Sequence, residues 1–175
     1  MATGILFVHA NQLAVTLRHN RNIESQLCQV FKDLNMILEH VAIWATDIDV
    51  LKAYYMKFFN AKANDRYINE KKEFQSYFLS FDSGARLEIM HRPDIPENTN
   101  DSSGAQYKGI IHLAFGVATM HDVEDKAREL KENGYRILSG PRKTGDGYYE
   151  FETLDPEYNR IEVTTKYTGP AIENA

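Results

Sequence analysis

Arg86-Leu87-Glu88-Ile89 returns later in the chain as Arg160-Ile161-Glu162-Val163, and the reading of this pair decides the fold. A second echo precedes it, with His40-Val41-Ala42-Ile43 returning as His112-Leu113-Ala114-Phe115. The separation of histidine from glutamate, 40 to 88 in the first copy and 112 to 162 in the second, agrees to within two residues. Self-similarity of this kind marks tandem structural units. Each unit places one histidine and one glutamate at equivalent positions.

The residues between the echoes follow one plan twice. Met36–Ala45 reads as a strand, and Thr46 or Asp47 offers an oxygen to cap a helix. Ile48, Leu51, Tyr54, Tyr55, Phe58 and Phe59 then recur at helical spacing, which predicts a helix ending near Asn60. Strands are expected over Ala63–Ile68, Phe74–Phe81 and Ala85–His91, with Asp82-Ser83-Gly84 as a turn. The second unit repeats this order with a strand over Gly109–Ala118 and Thr119 as N-cap. Met120, Val123, Ala127 and Leu130 form its helical stripe, and Gly134 stops it in a left-handed conformation. Strands near Tyr135–Pro141, Gly147–Thr153 and Arg160–Lys166 follow, with 155–159 as the turn before the last. The fold class is therefore α+β: two tandem βαβββ modules forming a curved mixed sheet with helices on its outer face.

Module one spans 36–91 and module two 109–167, as a single domain over 36–167. Residues 92–108, rich in proline, asparagine and serine, are expected to be a linker rather than a flap over a site. Residues 168–175 are a tail. Residues 1–35 read as a loosely docked or poorly ordered extension. Within it, Ile23, Leu27, Val30 and Phe31 are spaced for a short amphipathic helix, and no secretory leader is evident.

Strand alternation gives the echoes chemical meaning. Leu87 and Ile89 share one face while Arg86 and Glu88 share the other, and Ile161 and Val163 are opposed in the same way to Arg160 and Glu162. His40 lies opposite Val41 and Ile43, and His112 lies opposite Ile111 and Leu113. Four strands thus have an oily face for packing under a helix, and the opposite face of each carries an imidazole or a carboxylate. His40, Glu88, His112 and Glu162 together make an N₂O₂ donor set. It suits one borderline divalent ion (Ni, Zn, Co, Mn or Fe) better than Ca or Mg. His9, His19, His91 and His121 fall outside the symmetric set.

Composition narrows the function classes. The 175 residues are 43% hydrophobic and 26% charged, enough for a real core in a soluble chain. A formal net charge of −5 argues against a nucleic-acid footprint. No stretch approaches the roughly 18 apolar residues of a membrane span. The single cysteine, Cys28, excludes an intramolecular disulfide and suits a reducing, cytoplasmic setting.

On these motifs the chain resembles the vicinal oxygen chelate (glyoxalase/bleomycin resistance/extradiol dioxygenase) superfamily over Met36–Tyr167. The resemblance rests on Glu39-His40-Val41-Ala42, Arg86-Leu87-Glu88-Ile89, Ile111-His112-Leu113-Ala114, and the run from Asp155-Pro156-Glu157-Tyr158-Asn159 into Arg160-Ile161-Glu162-Val163. Its His-Glu-His-Glu order is most similar to bacterial glyoxalase I (lactoylglutathione lyase), whose members are nickel-, cobalt- or in some cases zinc-activated. The resemblance implies a cytoplasmic, metal-dependent lyase or isomerase of small thiol adducts or thioesters. Such an enzyme shifts a proton next to a carbonyl through an enediolate, with Glu162 as base and Glu88 as its counterpart. An acyl-CoA epimerase of the methylmalonyl-CoA type and a non-catalytic drug- or metabolite-binding protein are the alternatives. Glutathione-using relatives carry Arg and Asn where this chain has Trp44 and Arg92, which leaves another thiol or an acyl carrier open as the handle. Trp44, Met90 and Phe115 are expected mainly in core packing, with pocket walls as their other role. The repeat does not decide whether the four donors meet within one chain or across a homodimer.

Overall fold

The computed structural model describes residues 36–169. The extension 1–35 with its expected helix, and the end of the tail, lie outside the described residues. Module one runs β1 (His40–Trp44), α1 (Ile48–Phe59), β2 (Lys62–Ala63), β3 (Tyr67–Asn69), β4 (Phe74–Ser80) and β5 (Arg86–His91). Module two runs β6 (Leu113–Gly116), α2 (Met120–Glu132), β7 (Ile137–Lys143), β8 (Tyr148–Leu154) and β9 (Arg160–Lys166). The strands make one sheet per module, ordered β1-β5-β4-β2 with β3 also on β4, and β6-β9-β8-β7. In both sheets the first strand lies parallel to the last, β1 on β5 and β6 on β9, while the other pairs are antiparallel.

Both helices start where side-chain chemistry dictates. Asp47 accepts from the backbone N–H groups of Asp49 and Val50, and α1 ends on Asn60 in the left-handed region at φ 54°. Thr119 and Asp122 exchange bonds in a capping box at the start of α2. Gly134, at φ 89°, follows its last turn. The apolar stripes Ile48, Leu51, Tyr54, Tyr55 and Phe58 of α1 and Val123, Ala127 and Leu130 of α2 are buried against Leu87, Ile89, Ile161 and Val163. Burying these side chains supplies the main favourable term of folding.

The strands depart from the expected pattern at three places. The single strand expected over Ala63–Ile68 is two short strands, because the register against β4 slips by one residue between β2 and β3. Asn64 fills the interruption, its side chain accepting from the Phe78 N–H at 2.7 Å. Arg66 leaves the sheet there to bind Asp49 and the Tyr77 hydroxyl. In module two β7 is irregular around Ser139–Arg142. Gly140 sits there at φ +79°, and a Cβ would meet the Glu150 carbonyl oxygen at 2.4 Å, so only glycine fits. β6 is shorter than the Gly109–Ala118 run suggests, so His112 stands just ahead of it.

The modules share one core, and the turn 155–159 ties them. The Asp155 carboxylate, 3% exposed, accepts from the Tyr55 hydroxyl at 2.9 Å, across from α1. It also accepts from the backbone N–H groups of Glu157 and Asn159 and from the Asn159 amide. Glu157 Oε1 accepts in turn from the N–H groups of Thr46 and Asp47 at 2.9 and 2.8 Å. Tyr54–Tyr135 and Phe59–Phe115 ring contacts fill the space beside this clip. The linker is fastened as well, by an Arg160 Nη2 bond of 2.7 Å to the Ser102 carbonyl. Among the described residues no helix is long and apolar enough to cross a membrane.

Removing the Tyr55 hydroxyl leaves a buried carboxylate one donor short. Tyr55→Phe is therefore expected to cost about 1.5–3 kcal/mol in urea unfolding. The neighbouring Tyr54→Phe should cost less, because the Tyr54 hydroxyl finds no partner among the described residues. On the surface, hydrogen bonds first from Arg66 and then from Lys52 hold the Asp49 carboxyl at about 2, below its ordinary value. A lowered folded-state pKa contributes stability above the ordinary carboxylate value and loses it as pH falls toward 2. Thermal melts of Asp49→Asn should thus fall below wild type at neutral pH and converge with it near pH 2.

Candidate functional site

The parallel pairings β1–β5 and β6–β9 place the echoed residues side by side. His40 stands level with Arg86, Ala42 with Glu88, and Ala114 with Glu162. Each histidine therefore lies diagonally across from its glutamate, on the face away from the helices. His40 Nε2 is 3.9 Å from Glu88 Oε2, and His112 Nε2 is 3.4 Å from Glu162 Oε2. Both glutamates are half-buried and both histidines more open. Small residues, Ala42 and Ala114, stand level with the glutamates and leave the space before them clear.

These distances can be tested against what an ion requires. Imidazole nitrogen and carboxylate oxygen bind divalent ions at about 2.0–2.2 Å, so adjacent donors on one ion stand roughly 3.0–3.5 Å apart. The His112–Glu162 pair has that spacing, and the His40–Glu88 pair reaches it with a side-chain adjustment of about half an ångström. The donor chemistry and the spacing fit a borderline divalent ion. Among the described residues of one chain, however, no three His, Cys, Asp or Glu side chains gather closely enough to hold a metal. The structure brings the four sequence candidates together as two pairs. β1 and β6 each end a sheet, so each pair lies beside an edge strand.

The surroundings of the two pairs differ. Level with Glu88 on β4 is Phe78, whose ring meets the His40 ring edge-on at 5.4 Å. Further along the same face Trp44 stands level with Met90 and Ser76 with Tyr67. Trp44 is 41% exposed, contacts Phe74 edge-on at 6.0 Å, and has the Arg92 guanidinium 5.7 Å from its ring. Trp44 and Met90 thus form an open apolar wall. Phe115 does not join them: it stacks among Tyr55, Phe59 and Phe81 in the core.

Level with Glu162 on β8 is Glu152, and Glu150 is one step along the same strand face. Arg142 donates to Glu150 at 3.0 Å, and Arg160 donates to Glu152 at 3.1 Å. Burial first, and then the charge of Glu162, push the Glu150 carboxyl above its ordinary value. Three carboxylates on one face favour a cation beside them. The chain's two repeated arginines also acquire tasks here. Arg160 braces Glu152 and the linker, and Arg86 binds Glu39.

Glu39 was not among the sequence candidates. Its carboxylate accepts from His40 Nδ1 at 2.5 Å and from Arg86 Nε at 2.7 Å. The bond to His40, more than that to Arg86, holds the Glu39 carboxyl below its ordinary value. The signal available in the sequence was adjacency, an acidic residue immediately before a candidate ligand. Reading it required knowing that the chain turns the Glu39 side chain back over the imidazole.

Comparison with known proteins places the chain in a family. A model of the Glyoxalase/Bleomycin resistance protein/Dioxygenase superfamily matches residues 37–163. No curated protein matches the sequence. Among solved structures, a glyoxylase/bleomycin resistance protein/dioxygenase domain from Frankia sp. EAN1pec superposes with a TM-score of 0.62 at 15% identity, covering 75% of this chain and 98% of that one. The trypanothione-dependent glyoxalase I of Leishmania major gives 0.58 at 18% identity, covering 74% and 86%. A glyoxalase I mutant from Zea mays gives 0.59 at 19%, covering 77% of this chain and 46% of that one. At such identities the structural likeness speaks for the fold, and the family model adds the sequence pattern. The chain, built of two βαβββ modules, belongs to the Glyoxalase/Bleomycin resistance protein/Dioxygenase superfamily.

Proposed function

We propose that the protein is a metal-dependent lyase or isomerase of the glyoxalase I type, with each site completed between the two chains of a homodimer. The observation that supports this reading is the repeated diagonal pair, a histidine and a glutamate 3.9 and 3.4 Å apart beside edge strands in both modules. One pair alone offers two donors. A two-fold axis that sets His40 and Glu88 of one protomer against the other pair of its partner yields an N₂O₂ set twice per dimer. The site suits a borderline ion such as Ni, Zn, Co, Mn or Fe.

When bound, such an ion would act as a Lewis acid toward the substrate's two neighbouring oxygens. The substrate class is a hemithioacetal of methylglyoxal with a small thiol, or a related α-hydroxy or acyl thioester. His40 and His112 would hold the ion in place. In the hemithioacetal, Glu162 removes the proton from the carbon beside the carbonyl and returns it to the former carbonyl carbon while the hydroxyl proton passes to the neighbouring oxygen, with Glu88 as its counterpart on the other wall. The reaction moves a proton within one molecule and consumes no oxidant, so the site needs no redox partner. Trp44 and Met90 offer an apolar surface to the substrate's non-reacting part.

Elemental analysis of purified full-length protein should find about one divalent ion per chain, two per dimer. An assay with methylglyoxal and several thiols, run beside an acyl-CoA epimerisation assay, should find thiol-dependent turnover. Glu162→Gln is expected to lower kcat roughly 10²–10⁴-fold. Absence of stoichiometric metal, or turnover of the acyl-CoA alone, would sink the lyase reading. Sharing of the site has a separate test. Glu88→Gln and Glu162→Gln proteins, each inactive alone, should regain about a quarter of the wild-type sites when unfolded and refolded together, since random pairing makes half the dimers mixed. Sites confined to one chain would regain nothing.

A further inference from the structure

We infer that Glu39 is a positioning residue for His40, fixing its tautomer and ring orientation so that Nε2 is presented as a donor toward Glu88. The inference rests on the metal-binding reading above and extends it to a residue outside the four donors.

The argument begins with the imidazole. A neutral histidine carries its proton on one nitrogen and a lone pair on the other, and the hydrogen bond at one nitrogen decides which. At His40 the Glu39 carboxylate lies 2.5 Å from Nδ1. A carboxylate can only accept, so Nδ1 carries the proton and Nε2 the lone pair. Nε2 is the nitrogen that faces Glu88. A carboxylate held against the remote nitrogen also raises the basicity of the ligating one.

Glu39 is itself held. Arg86, level with His40 on the neighbouring strand, donates to Glu39 Oε1 at 2.7 Å while Oε2 serves the imidazole. The Arg86 guanidinium lies 4.1 Å from the centre of the Phe78 ring, and the same ring meets His40 edge-on. Carboxylate, guanidinium, phenyl and imidazole thus form a closed set in which each member limits the movement of the next. A role in stability alone explains this poorly. Glu39 and Arg86 are 51% and 41% exposed, and ion pairs so open contribute little to folding.

Module two supplies the internal comparison. The residue before His112 is Ile111, which has no acceptor in its side chain. Arg160, the counterpart of Arg86, is committed to Glu152 and the Ser102 carbonyl. The donors repeat, and the brace on the histidine belongs to module one. His40 is accordingly the more rigidly presented of the two imidazoles.

The test uses full-length wild type, Glu39→Ala, Glu39→Gln and His40→Ala, with Co²⁺ as the probe ion and chelator competition as the measure of affinity. Glu39→Ala should weaken Co²⁺ binding about 10- to 100-fold with an unchanged unfolding midpoint. Glu39→Gln, which keeps an acceptor but not the charge, should fall between it and wild type. In the metal-free protein, long-range ¹H–¹⁵N spectra at a pH where the ring is neutral should show His40 protonated at Nδ1, and Glu39→Ala should move that proton toward Nε2. Wild-type affinity and an unchanged tautomer in Glu39→Ala, alongside lost binding in His40→Ala, would overturn the positioning role and leave the metal reading intact. A wild-type protein that binds no Co²⁺ would overturn both, and His40 protonated at Nε2 in wild type would refute the tautomer assignment by itself.

Discussion

The buried Asp155 carboxylate is the constraint on which the remaining geometry depends. Taking a carboxylate out of water is costly unless donors replace the lost hydration. Here Tyr55, Asn159 and two backbone N–H groups do so. Burial still raises its pKa against the lowering effect of those bonds, so the folded state holds its proton more tightly than the open chain does. This group therefore favours folding less as pH rises through its folded-state value. What the arrangement yields in return is position. The bonds close the turn that launches β9, and a slip of one residue there would send Glu162 to the core face and Ile161 to the open one. The same turn sends Glu157 to the start of α1, so the register of β9 and the placement of module one are set together.

The parts legible in the sequence were those governed by local rules. Leu87, Ile89, Ile161 and Val163 alternate with polar residues, and alternation alone assigned Glu88 and Glu162 to the open face. Asp47, Asn60, Thr119 and Gly134 terminate helices through side-chain bonds or backbone freedom that act over a few residues. The superfamily, too, was legible in the motifs. Features set by contacts distant in sequence were not legible. The break between β2 and β3 depends on Arg66 reaching Asp49 and Tyr77, and the irregularity of β7 on Gly140 lying against Glu150. Phe115 and Trp44 look alike as aromatic residues near a histidine, yet a core contact takes one and the open face keeps the other. Arg86 and Arg160 are identical in pattern and serve different partners, because Glu39 has no equivalent before His112.

That last difference bears on how a repeated chain makes a directional site. Both modules carry the histidine–glutamate pair, and the neighbours of the two pairs differ. Level with Glu88 stands an aromatic ring, and level with Glu162 stands another carboxylate. One half-site therefore presents Phe78, Trp44 and Met90 with the Arg86 and Arg92 guanidinium groups on two of the rings, and the other presents Glu150 and Glu152 with Arg142 and Arg160. A substrate seated between the two would meet unlike walls, rings on one side and carboxylates on the other. In the proposed dimer every complete site combines one wall of each kind, since each takes module one from one chain and module two from the other. In such a dimer the twofold symmetry between chains would complete the donors, and the asymmetry between modules would set two unlike walls around them.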